Sequence, residues 1–115
     1  MDEKLKAALD FSNYMITLTN QKRIIFEKYQ NDLLYFFNGG QFTVSQQLIS
    51  FCQSLIQLNQ TEVVIIDDNQ IPVEIENLQD FTQKILNVYF SATNSYLSEY
   101  TLLKNKRSVE SIAYK

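Results

Sequence analysis

Two stretches of this chain, residues 2–38 and 77–107, place apolar side chains at steps of three and four, the spacing of one face of an α-helix. In the first stretch Phe11, Met15, Leu18, Ile25, Tyr29, Leu33 and Phe36 fall on one stripe. In the second the stripe is Leu78, Phe81, Ile85, Tyr89, Ala92, Tyr96, Tyr100 and Leu103. At about 1.5 Å per residue such helices run roughly 50 and 45 Å, against a breadth of about 30 Å for a small domain. The sequence has 115 residues, the size of one folding unit, so a single domain over residues 1–115 is expected. Its two long helices are expected to pack antiparallel, with the middle of the chain as a head. The fold class is then α+β, mainly α.

Local signals divide the rest. Within the first helix, Thr17-Leu18-Thr19-Asn20 has the weakest helix propensity and marks where a bend or break would come. Gly39-Gly40 reads as its C-terminal stop, because Gly accepts the left-handed conformation there. Gln41 to Val44 reads as an extended link. Ser45 is an N-cap, with Val44 and Ile49 as a staple, and opens a helix over about 45–58 that Asn59 closes. Leu48, Cys52, Leu55 and Ile56 face inward from it, opposite an uncharged polar face. Val63-Val64-Ile65-Ile66, the turn Asp67-Asp68-Asn69-Gln70 and the alternating Ile71-Pro72-Val73-Glu74-Ile75 predict a β-hairpin over about 62–75. Pro72 lacks a donor, which puts its strand at an edge or turns the missing N–H outward. Asn77 then caps the last helix, expected to run to about Arg107, with Lys104, Lys106 and Arg107 at the negative end of its dipole.

Charge is unevenly placed. Residues 29–83 contain no Lys or Arg, yet they hold Asp32, Glu62, Asp67, Asp68, Glu74, Glu76 and Asp80. This disfavours a winged-helix reading of the middle segment, because nonspecific affinity for DNA comes from Lys and Arg on phosphates. Contact with nucleic acid falls back on Lys104, Lys106 and Arg107, whose simpler role is to complement the helix end. For the acidic segment, Asp67, Asp68, Glu74 and Glu76 are candidates for docking a basic protein, with solubility as the plainer explanation.

Chemistry is constrained by what is missing. The chain has no His, one Cys, two Gly and one Pro, which removes the commonest general base, intrachain disulfides, Cys/His zinc sites and Gly-rich phosphate loops. No enzyme and no cofactor is expected. Asp67-Asp68-Asn69 lacks the alternating ligand spacing of a calcium loop and reads as a turn. Cys52, on an inward face with no cation beside it in sequence, reads as a small core residue. Tyr89, Tyr96 and Tyr100 at helical spacing suit a core or a protein interface better than a base-stacking platform. No apolar run reaches the length of a signal-peptide core, so a cytoplasmic protein without membrane contact is expected. Ile, Asn, Lys, Phe, Tyr and Met far outnumber Ala, Gly, Pro and Arg, the bias of an AT-rich gene.

The hairpin from Val63 to Ile75, followed by Asn77-Leu78-Gln79-Asp80-Phe81 and by the Tyr-rich helix ending Leu103-Lys104-Asn105-Lys106-Arg107-Ser108-Val109, resembles small uncharacterised proteins of T-even-like marine phages. The resemblance implies a small phage accessory protein without an assigned activity. The reading from the residues is a protein–protein interaction module. A homo-oligomer is expected, its long helices covering one another's surplus apolar stripe, with Phe11, Met15, Leu18, Tyr89, Tyr96, Tyr100 and Leu103 as interface candidates.

Overall fold

The computed structural model describes residues 2–113, with side chains through Lys106. The order of elements is α1 (Glu3–Asp32), β1 (Leu34–Phe37), β2 (Gly40–Thr43), α2 (Gln46–Gln57), β3 (Val63–Ile66), β4 (Pro72–Ile75) and α3 (Leu78–Ala113). The fold is α+β and mainly α. The described residues form two separate two-stranded antiparallel sheets, β1–β2 and β3–β4.

The course and ends of the helices follow from local chemistry. Asp2 starts α1 by accepting the N–H of Lys4 at Oδ1, 3.1 Å away. The helix then runs through the weak segment unbroken, where Thr19 Oγ1 donates to Met15 O at 3.0 Å. Ser45 caps α2 through the N–H of Leu48. At its other end Asn59, with φ of 64°, completes a Schellman closure in which Asn59 N–H donates to Ile56 O and Gln60 N–H to Leu55 O. Asn77 caps α3 through the N–H of Asp80 at 3.0 Å.

The first helix is shorter than its apolar spacing predicts. It ends at Asp32 rather than Asn38, and Leu34-Tyr35-Phe36-Phe37 turns back on Gly40–Thr43 with Phe37 opposite Gly40 and Leu34 opposite Thr43. Asn38 (φ 50°) and Gly39 (φ 81°) form the two-residue turn, both left-handed as a hairpin of this length requires. Gly39-Gly40 is therefore no helix stop. Gly39 serves the turn, while Gly40 serves packing, because a Cβ on it would lie 2.5 Å from Val73 Cγ2. Leu33 and Phe36 fit a helical step, but four aromatic or branched residues before Asn-Gly favour a strand. The last helix is longer than predicted, reaching Ala113 instead of Arg107.

The chain divides into two compact units, residues 30–93 and residues 1–29 with 94–115. In residues 30–93 the core gathers around Phe81, whose ring meets those of Tyr35, Phe37 and Phe42 at centroid distances of 5.9, 5.5 and 5.3 Å. Val44, Cys52, Ile75, Leu78 and Ile85 are fully buried with it. In the other unit, α1 and the later part of α3 pair antiparallel, since Tyr29 stacks on Tyr96 at 4.8 Å while Gln21 shares a concavity with Lys106. Leu18 and Leu103 are the buried apolar residues of this pair among those described.

Candidate interaction surfaces

The interface candidates divide by burial. Leu18 and Leu103 are enclosed within the helix pair and offer nothing to a partner. Tyr96 is half-buried between Tyr29 and Phe26. Tyr89, in residues 30–93, is half-buried and its hydroxyl oxygen accepts from Gln46 Nε2 at 2.8 Å. Phe11, Met15 and Tyr100 stay exposed. Leu18, Tyr96 and Leu103 thus belong to an internal seam, as a helix facing one neighbour requires, while Phe11, Met15 and Tyr100 keep surface outside it.

A second apolar face of α1 lies outside the stripe that the sequence spacing predicts. Leu5, Leu9 and Ile16, at steps of four and seven, are 52%, 45% and 57% exposed. At 3.6 residues per turn they lie within about 40° of one another, on the far side of the helix from Leu18. The signal is present as coiled-coil spacing, masked by the stronger stripe on the opposite side of the helix.

The acidic candidates divide more sharply. Asp67 is 7% exposed, so it is no docking residue. Its Oδ1 accepts the N–H groups of Asn69 and Ile71 at 2.9 and 2.7 Å, and its Oδ2 accepts the N–H of Gln41 in β2 at 2.9 Å. The Gln41 N–H above all, with those of Ile71 and Asn69, holds the carboxyl below its ordinary range against the opposing effect of burial. One carboxylate therefore shapes the β3–β4 turn and ties it to the β1–β2 hairpin. Asp68 makes the same link from the surface, accepting Thr43 Oγ1 at 2.6 Å and Gln41 Nε2 at 3.3 Å, while its own N–H donates to Gln41 O. From sequence both read as turn residues free to dock a partner, because Gln41 to Val44 reads as an extended link and not as the strand β2 that meets them. Glu74 and Glu76 remain exposed at the other end of the hairpin, beside Glu62, around a depression of about 390 Å³.

Lys104 and Lys106 are exposed, and the side chain of Arg107 lies outside the described residues. Elsewhere in the helix pair Lys28 reaches Glu99 at 3.4 Å and Ser95 at 3.1 Å, and Arg23 faces Glu27 at 3.8 Å. Cys52 is fully buried, and burial pushes its thiol up in spite of a hydrogen bond with Thr82. A thiol in that state is a poor nucleophile. Among the described residues no three carboxylate or thiol groups converge to hold a metal ion, and no helix is long and apolar enough to cross a membrane. No family model, curated protein or solved structure matches the chain.

Proposed function

We propose that this chain is a non-enzymatic assembly module that associates with copies of itself through the helix pair of residues 1–29 and 94–115. The observation that carries this reading is the apolar face Leu5, Leu9 and Ile16, left outside the seam that Leu18 and Leu103 fill. Leu97 and Leu102 on α3 add to the uncovered area, at 65% and 70% exposure. Scattered apolar side chains are ordinary on a surface, but a row at coiled-coil spacing is what a second helix covers.

The test is mass in solution, by size-exclusion chromatography with light scattering at tens of micromolar. An oligomer is expected, and replacing Leu5, Leu9 and Ile16 by Lys should return it to the monomer with helix content unchanged. A wild-type chain that is strictly monomeric overturns the reading.

A further inference from the structure

The β3–β4 hairpin has two edges in different states. The N–H of Asp67 donates to Ile71 O at 2.9 Å. Bonded and non-bonded pairs alternate along an antiparallel ladder, so Ile65–Val73 and Val63–Ile75 are the bonded pairs. The peptide groups of Val64 and Ile66, and those of Glu74 and Pro72 opposite them, then point away from the hairpin. On the β4 side this edge is partly blocked. Glu74 O accepts Asn38 Nδ2 at 3.2 Å, and Pro72 has no N–H to present. On the β3 side nothing among the described residues bonds the outward groups of Val64 and Ile66.

Exposed edges are commonly blunted by Lys, Pro or a bulge, and β3 has none of these over Val63-Val64-Ile65-Ile66. Its outer face is apolar, with Val64 and Ile66 at 59% and 58% exposure. Past that face, at the open end of the hairpin, Glu62 and Glu76 continue the ladder beside Glu74. Among the described residues none of these three carboxylates makes an ion pair or a side-chain hydrogen bond, and residues 29–83 contain no base to neutralise them.

We propose that the free edge of β3 receives an extended segment of a basic partner protein as an added antiparallel strand. Its apolar side chains lie beside Val64 and Ile66, and a Lys or Arg two residues further on meets Glu62, Glu74 and Glu76. The edge supplies two N–H and two C=O groups for the main chain, and the alternation of the ladder fixes a pattern of apolar, any, apolar, any, basic in the incoming strand. A second copy is a worse occupant. The two-fold register that pairs Val64 of each copy with Ile66 of the other sets Glu62 against Asp68, a like-charge contact, and the registers that pair Val64 with Val64 or Ile66 with Ile66 set a carboxylate, Glu62 or Asp68, against an apolar side chain. The inference is independent of association through the helix pair.

The test uses the full chain and two fluorescein-labelled peptides, acetyl-ITVTKK-amide and acetyl-ITVTEE-amide, by anisotropy at low salt. ITVTKK should bind at least about tenfold more tightly than ITVTEE and weaken as salt rises. It should also slow amide hydrogen exchange at Val64 and Ile66. Reversing Glu62 and Glu76 together to Lys should invert the preference, and the exchange measurement on the wild-type chain stands even if that variant folds poorly. Equal binding of the two peptides, no binding at millimolar concentration, or binding without slowed exchange at Val64 and Ile66 overturns the proposal. Slowed exchange at these amides that grows with protein concentration in the absence of peptide also overturns it, in favour of a second copy. Association through the helix pair alone leaves these amides unchanged, so failure here and failure of the assembly reading are told apart.

Discussion

The helix pair and residues 30–93 draw on similar apolar residues and bury them differently. Of the buried apolar side chains described, Leu18 and Leu103 belong to the helix pair, while Leu33, Phe42, Val44, Ile49, Cys52, Ile65, Val73, Ile75, Leu78, Phe81, Ile85 and Ala92 belong to residues 30–93. Two helices side by side share one seam, and every other face of each meets water. Residues 30–93 bring two hairpins and parts of helices around Phe81 from several directions, so one ring is enclosed by three others. Number of directions, more than composition, separates a core from a seam, and it leaves the helix pair with surface to share.

The largest way to break the contrast is at its centre. Phe81→Ala should cost about 3–5 kcal/mol in chemical denaturation, because a fully buried ring leaves a cavity among Tyr35, Phe37 and Phe42. Leu18→Ala in the seam should cost less, near about 2 kcal/mol, since exposed neighbours can close over the gap. Equal losses would remove the distinction between core and seam.

The link between the hairpins is the next test. Asp67→Asn removes a charged acceptor of three N–H groups and should lower Tm by roughly 10 °C at neutral pH. Because the folded carboxyl titrates below its ordinary value of 3.8, its contribution is fully present above that value. The contribution is lost as pH falls through the lower folded value. The gap between wild type and Asp67→Asn should therefore hold from pH 7 to about 4 and narrow at more acid pH, as thermal melts across that range would show. A gap that widens in acid would contradict the assignment.

Gly40→Ala should cost about 1–3 kcal/mol through collision with Val73 Cγ2. Combining it with Val73→Ala should recover part of that loss, so that the pair costs less than the two single changes added together. Strict additivity would mean that the two hairpins do not meet there. The smallest effect concerns the outer face of α1, where Leu5→Lys should change monomer stability by no more than about 0.5 kcal/mol. A larger loss, measured at concentrations too low for association, would show that this face already has a partner within the chain.

Much of the local structure was legible before any tertiary contact was known. Ser45, Asn59 and Asn77 act at helix ends through their own side chains or backbone, so their roles depend on residues three or four positions away and can be read from the chain. The same holds for the β3–β4 hairpin, with its branched strands and its acidic turn. The β1–β2 hairpin was hidden because Leu33 and Phe36 extended a helical step, and the stronger local signal, Asn38-Gly39, lies between strands of only four residues. Asp67 was misread as a consequence. A turn aspartate shows its short-range partners, Asn69 and Ile71, but not Gln41, which is 26 positions away and belongs to the strand that had been missed.

The sequence alone determined the three helices, the β3–β4 hairpin, most of their ends and the acidic character of residues 29–83, because caps, turns and periodicity act over a few residues and charge is a count. The tertiary structure alone decided which apolar stripe was spent, with Leu18 and Leu103 enclosed and Leu5, Leu9 and Ile16 left outside. It also decided which carboxylate was structural and which edge was open, putting Asp67 against β2 and leaving the outer edge of β3 without a strand beside it. Burial and hydrogen bonding at those positions depend on residues far away in the chain, and no local pattern contains the distance between them.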